Sequence, residues 1–270
     1  MENLEIAHLE KSILRKPLKA LIFDLDDTLL VDEALSEEVL EALLLHLGIK
    51  EEKEIFLKNI KNVALRRWEQ GPCYAWCRLI GISAMECLWG NFSLAEEPWL
   101  KLRTWALKYR EDVFEEVFSS PQQAQEAATF FARERRRRQR LFPQTKEIVQ
   151  KLSKKYHLGL LTNGAPDLQR EKLKASKLES LFLTTIISGD HGFGKPNPLL
   201  FQKASEELGV SISQCVMIGN SLENDIAGAR AAGMRSIWIR LCDPSTTENI
   251  SSDFIIGDLR ELPSLLKTME

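Results

Sequence analysis

Apolar and polar positions alternate in two different ways along this chain. Leu18 to Leu25 (LKALIFDL) reads as a buried strand that runs into the acidic residues Asp24, Asp26 and Asp27. From residue 36 to about 140 the apolar positions recur at helical spacing, predicting helices over 36–48, 51–69, 72–89, 97–118 and 121–140. Ser36 is placed to cap the first of these, Gly48 to stop it, and Pro72, Pro98 and Pro121 stand at or near first turns. Beyond Pro143 short apolar runs return at Leu158 to Leu161, Thr184 to Ile187, Val216 to Ile218 and Ser236 to Ile239, with a weaker one at Phe254 to Ile256. Amphipathic helices separate them. Strands alternating with helices imply right-handed crossovers and a parallel sheet covered on both faces. The first strand joins that sheet, so the helical block is an insertion after it.

The distribution of glycine supports this division. Only Gly48, Gly71, Gly81 and Gly90 of the 14 glycines precede residue 159, whereas five of the six tryptophans lie in that first half. Length sharpens it further, since 270 residues correspond to one large domain or two modest ones. The expectation is an α/β core from residues 1–31 and 141–270, with a helical domain over 32–140. Apolar residues at 44% and charged residues at 28% place the chain among ordinary globular proteins. A formal charge of −3 leaves no global basic field for a nucleic-acid backbone or an anionic membrane. The five cysteines are an odd number, Met1 to Ala20 has no secretory core, and a cytoplasmic location is the natural expectation. Cys73 and Cys77 read as buried thiols and not as half of a zinc site. The apolar runs fall far short of a membrane span.

In a sheet of this kind ligands sit beyond the carboxyl ends of the strands, so those positions carry the candidate chemistry. After the first strand, Asp24 and Asp26 at i and i+2 face the same side of an extended segment. Their mutual repulsion is relieved by a cation or a proton, and a hard cation with oxygen ligands suits them. Asp27 and Thr28 read as turn and capping residues. After the second strand, Thr162, Asn163 and Gly164 offer a hydroxyl, an amide and a flexible backbone to a phosphoryl group. After the third, Lys195 is held between Gly194 and Pro196, where it can neutralise phosphate charge. After the fourth come Gly219, Asn220 and the acidic Asp225, which is expected to begin a helix.

These four groups, in this order at successive strand ends, resemble the four motifs of the haloacid dehalogenase-like hydrolase superfamily. Asp24 and Asp26 match the first motif, Thr162 the second, Lys195 the third, and Gly219 to Asp225 the fourth. The likeness extends through stretches such as TNGAPDLQREKL and GKPNPLLFQKASEELGV, and a helical cap after the first motif is typical of one group of these enzymes. The resemblance implies a doubly wound, Rossmann-like sheet and a Mg²⁺-dependent phosphatase of small phosphate monoesters, sugar phosphates foremost. Asp24 would be the nucleophile that takes up the phosphoryl group, and Asp26 the general acid and base. Thr162, Asn163, Gly164 and Lys195 would hold the phosphate. The metal would be held by Asp24, the backbone carbonyl of Asp26, Asn220 and Asp225. Asn220 departs from the pattern, which commonly has Asp there, and implies weaker Mg²⁺ binding. Two other readings stay open: hydrolytic dehalogenation, and a binding or regulatory protein that keeps the fold without turnover.

Two further features belong to the helical block. Trp and Leu at helical spacing are expected to fill the core of the bundle, and Arg66, Arg67, Arg78 and Arg103 are candidates for an acidic substrate tail. The run from Arg133 to Arg140 carries six arginines in eight residues. It reads as a solvated helix end that steers phosphorylated substrates, not as a nucleic-acid site.

Overall fold

The computed structural model describes residues 17–50, 53–118, 120–240 and 251–269. The expected amphipathic start and Cys242 lie outside the described residues. Six strands form one parallel sheet: β1 (Ala20–Phe23), β2 (His157–Thr162), β3 (Thr184–Ile187), β4 (Cys215–Gly219), β5 (Arg235–Ile239) and β6 (Phe254–Ile256), in the order β3-β2-β1-β4-β5-β6. The predicted α/β fold class, a doubly wound parallel sheet, is therefore observed.

Alternation along the strands sorts their side chains into two faces, as a period of two requires. Leu21, Phe23, Leu158, Leu160, Val216 and Ile218 pack on one face, while Ala20, Ile22, Leu161, Cys215 and Met217 pack on the other. The chain winds outward from β1 to β3 and then returns to β4 beside β1. That reversal opens a crevice beyond the carboxyl ends of β1 and β4, the place where such sheets bind ligands.

Between β1 and β2 run α1 (Glu33–His46), α2 (Lys53–Glu69), α3 (Tyr74–Ile80), α4 (Ala84–Cys87), α5 (Trp99–Phe118), α6 (Pro121–Arg137) and α7 (Thr145–Leu152). Helices α1 to α6 bury their own apolar cluster, from Val39 to Phe131, which continues into the sheet layer only through Ala165 and Leu168. Two chain segments join this bundle to the sheet, and they pair with each other. Val31 N donates to Arg140 O at 2.9 Å and Phe142 N to Leu29 O at 3.1 Å. The second half adds α8 (Pro166–Ser176), α9 (Pro198–Glu207), α10 (Ala227–Ala231) and α11 (Leu262–Thr268).

Three local expectations need correction. The first helix begins at Glu33, so Ser36 lies inside it, buried, with its hydroxyl donating to Asp32 O at 3.0 Å. The stretch 72–89 is two helices, because Gly81 takes a left-handed φ of 78° and Ser83 with Glu86 then forms a capping box that starts α4. A side chain at position 81 would also lie 2.6 Å from the Cβ of Asn163. Asp225 does not begin a helix but sits in a π-helical turn, Leu222–Ile226, that precedes α10. Cys73, Cys77, Cys87 and Cys215 are buried free thiols, and no described helix is long and apolar enough to cross a membrane.

Candidate active site

Beyond β1 and β4 lies a pocket of about 210 Å³ lined by Asp24, Asp26, Thr162, Asn163, Lys195, Asn220 and Asp225 from the sheet side. The helical bundle contributes Gly81, Ser83 and Glu86. Of the strand-end residues singled out in the sequence, Asp24, Asp26, Thr162, Asn163, Lys195, Asn220 and Asp225 converge here, whereas Asp27, Thr28, Gly164 and Gly219 do not line the pocket.

Lys195 is the centre of the sheet side. Its Nζ, 97% shielded, lies 2.5 Å from Asp24 Oδ1, 2.7 Å from Asp225 Oδ1 and 3.0 Å from Leu161 O. Burial opposes its charge, but Asp225 and Asp24 outweigh it and hold the ammonium above its ordinary pKa. Burial pushes the Asp24 carboxyl up to about 6, with Lys195 pulling it down and Asp225 pushing it up. Gly219 makes the return of Asp225 feasible, since a Cβ there would stand 2.2 Å from Asp225 Oδ2. That oxygen accepts from Ser221 N at 3.0 Å. The Thr28 hydroxyl lies 3.3 Å from both Asp24 Oδ2 and Asn220 Oδ1. Asp27 is the expected turn residue, its carboxylate accepting from Asp32 N and Glu33 N.

The residues after β2 already have partners within the fold. The side-chain amide of Asn163 accepts from Lys195 N at 2.8 Å and donates to Lys195 O at 3.1 Å, so both its polar ends grip the lysine loop. Gly164 N donates to Ser188 Oγ and Ile80 O. The Thr162 hydroxyl faces the pocket and accepts from Gln169 Nε2 at 2.7 Å.

Asp26 stands in a second cluster that the sequence did not announce. Lys172 Nζ, on α8, is 2.9 Å from both Asp26 oxygens, 3.0 Å from Asp32 Oδ1 and 3.5 Å from Glu86 Oε1. Gln169 Nε2 reaches Asp26 Oδ2 at 2.8 Å. Arg135, fully buried, pairs with Asp32, donates from Nε to Ser36 Oγ at 2.9 Å, and lies over the Trp89 ring at 4.7 Å. Burial raises the Asp26 carboxyl to about 6 against the pull of Lys172, and raises Glu86 to about 7. Burial works against ionised Asp32 too, yet Lys172 and Arg135 together hold it below the usual range.

The arginine run is a solvated helix end only in part, since Arg133, Arg137 and Arg140 are exposed while Arg135 and Arg136 turn inward. Arg135 is buried, Arg136 binds Glu171, Asn91 and Trp89 O, and Arg140 binds Glu38. Arg66 and Arg67 pair with Glu116 on the bundle surface, Arg78 leans on Tyr74, and none of these, nor Arg103, lines the pocket. Trp68, Trp89 and Trp99 are buried in the bundle as expected, but Trp89 also offers its ring face to Arg135, Arg136 and Lys172.

The model of the haloacid dehalogenase-like hydrolase family matches residues 18–233, a span that takes in every residue of the pocket. The chain belongs to this hydrolase family. It is 41% identical over 252 residues to a phosphoserine phosphatase of Thermus thermophilus, covering 91% of this chain and 98% of that one. An N-acylneuraminate-9-phosphatase of Mus musculus is 35% identical over 127 residues, 46% of this chain and 51% of that one. The HAD-hydrolase YfnB of Bacillus subtilis superposes with a TM-score of 0.64 at 22% identity, over 93% of this chain and 99% of that one, which shows the shared fold.

The donor set of the pocket is all oxygen where a metal is concerned. Two carboxylates, Asp24 and Asp225, face one ammonium, and the Asn220 amide oxygen adjoins them. Among the described residues no group of three or more His, Cys, Asp or Glu is arranged as a metal site. Two carboxylates with neutral oxygens fit Mg²⁺, which is usually bound by one or two carboxylates together with substrate phosphate.

Proposed function

We propose the following reading of the site: a phosphatase of small phosphate monoesters that works through an aspartyl-phosphate on Asp24. One observation carries it, the placement of Asp24, Asp26 and a buried Lys195 around one pocket, with the lysine ammonium 2.5 Å from the Asp24 carboxylate. An Asp24 oxygen attacks phosphorus, and the ester P–O bond breaks. Asp26 gives its proton to the departing alcohol oxygen. It then takes a proton from the water that attacks the phosphoryl group, breaking the P–O bond to Asp24 and releasing phosphate. Lys195 and the Thr162 hydroxyl balance charge on the phosphoryl oxygens, while Asn163 serves by fixing the backbone of Lys195. Mg²⁺ held by Asp24, Asp225, Asn220 and the Asp26 carbonyl would reduce the repulsion between carboxylate and phosphate.

Residues 32–140 are the cap in this reading. Gly81, Ser83 and Glu86 close the pocket on the side of the leaving group. At about 210 Å³ the pocket is below the roughly 300–1,000 Å³ that drug-sized ligands occupy, which favours a small ester. Ser83 and Glu86 offer partners to hydroxyl or ammonium groups. The full-length likeness to a phosphoserine phosphatase supports phosphoserine ahead of the sugar phosphates that the motifs alone favoured. The test is a panel of phosphate monoesters with Mg²⁺, phosphoserine included, scored by phosphate release. Asp24→Asn is expected to abolish turnover. Halide release from 2-haloacids without phosphate release would establish the dehalogenase reading instead, and neither release would leave a binding protein.

A further inference from the structure

Lys172 is surrounded more closely than a surface-derived lysine needs to be. It is 99% shielded, and its three protons face carboxylates from three separate segments: Asp26 after β1, Asp32 in the connection to the bundle, and Glu86 on α4. The Trp89 ring, 5.5 Å from Nζ, closes the remaining side. Gln169, one turn earlier on α8, adds its amide to the same Asp26 oxygen that Lys172 holds. That amide leaves its own Oε1 buried without a partner among the described groups. Turning it over would set its oxygen against the Asp26 carboxylate and the Asn163 carbonyl, so these acceptors decide its orientation.

We propose that Lys172 is a positioning residue that aims the Asp26 carboxylate at the leaving group and, through Glu86, ties this aim to the docking of the helical bundle. The inference rests on the reading of Asp26 as general acid given above. Two bonds from Lys172 and one from Gln169 leave Asp26 a single orientation. The same ammonium reaches Glu86, so the bundle wall that lines the pocket and the acid that serves it share one anchor. Neighbouring contacts act in the same direction. Arg136 Nε binds Glu171 at 2.8 Å, and Ser93 Oγ binds Asp167 at 2.8 Å, both bridging the bundle to α8.

Leaving-group dependence tests this. A general acid contributes about 10²–10⁴-fold when the departing alkoxide is basic, and little when it is stable without a proton. Turnover is therefore measured on O-phosphoserine and on p-nitrophenyl phosphate with Mg²⁺. Asp26→Asn provides the reference: a large loss on the first and a small one on the second supports Asp26 as the acid, and equal losses overturn that reading by itself. Given that split, Lys172→Met is expected to lower kcat about 100-fold on phosphoserine and less than about fivefold on p-nitrophenyl phosphate. Equal losses on both esters, or no loss, overturn the positioning role. Should Lys172→Met not fold, Gln169→Leu carries the same decision with about a tenfold loss on phosphoserine and under twofold on the aryl ester. Glu86→Gln tests the tie to the bundle. It is expected to raise KM about fivefold on both esters without altering their ratio, and an unchanged KM removes that half of the proposal.

Discussion

Two lysines are buried among carboxylates in this enzyme, and their surroundings differ in origin. Lys195 meets Asp24 and Leu161 at the ends of β1 and β2, and Asp225 in the turn that follows β4. Lys172 meets Asp26, Asp32 and Glu86, drawn from a strand end, a connection and the helical bundle. The first cage is built within the sheet layer, where register brings β1, β2 and β4 side by side and the turn after β4 folds Asp225 back over Gly219. The second exists only while the bundle is docked. On the proposed reading, phosphate handling rests on the sheet side alone, and leaving-group handling on contacts shared between the sheet and the bundle.

The largest effect that bears on this contrast is expected from Lys195→Met. It should lower kcat/KM about 10³-fold on alkyl and aryl phosphates alike, because charge balance at phosphorus does not depend on the leaving group. A loss confined to alkyl esters in steady-state assays would break the comparison. Next comes Arg135→Leu, which leaves Asp32 with one cation fewer in a buried network. A stability loss of about 3–5 kcal/mol in denaturant titration is expected, as for other buried pairs broken on one side.

A smaller change is expected from Asn220→Asp, which restores a third carboxylate beside Asp24 and Asp225. The Mg²⁺ concentration for half-maximal activity should fall about tenfold, following the dependence of affinity on ligand charge. An unchanged requirement would show that Asn220 does not tune the metal. The smallest effect concerns Glu86, whose carboxyl rises from 4.5 to about 7 in the folded state through burial, against the pull of Lys172. The folded protein then keeps a proton that the unfolded chain has lost, so stability falls as pH rises from about 4.5 to about 7. Glu86→Gln should flatten that part of the curve, read from melting at several pH values.

The sheet, its helices and the residues around Lys195 were legible in the sequence for one reason. Short apolar runs fix where strands end, and a doubly wound sheet gathers strand ends in one place. The Lys172 cluster was not legible, because Glu86 is brought to α8 only by packing of the bundle. Its one local signal was Ser83-x-x-Glu86, a capping-box spacing hidden inside what read as a single helix over 72–89. The arginine run misled for a related reason. Its charge is conspicuous along the chain, but helical geometry turns Arg135 inward towards Asp32 and Trp89 while its neighbours Arg133 and Arg137 stay exposed.

Asn163, expected to hold phosphate, clasps the Lys195 backbone with its side-chain amide. That exchange has a thermodynamic consequence. With the loop after β2 and the loop after β3 locked to one another, the ammonium has its place before any ester arrives. The entropy of ordering it is settled during folding, once, and not again at each turnover. Binding energy is then left for the contacts that the substrate makes with Ser83 and Glu86 on the bundle side.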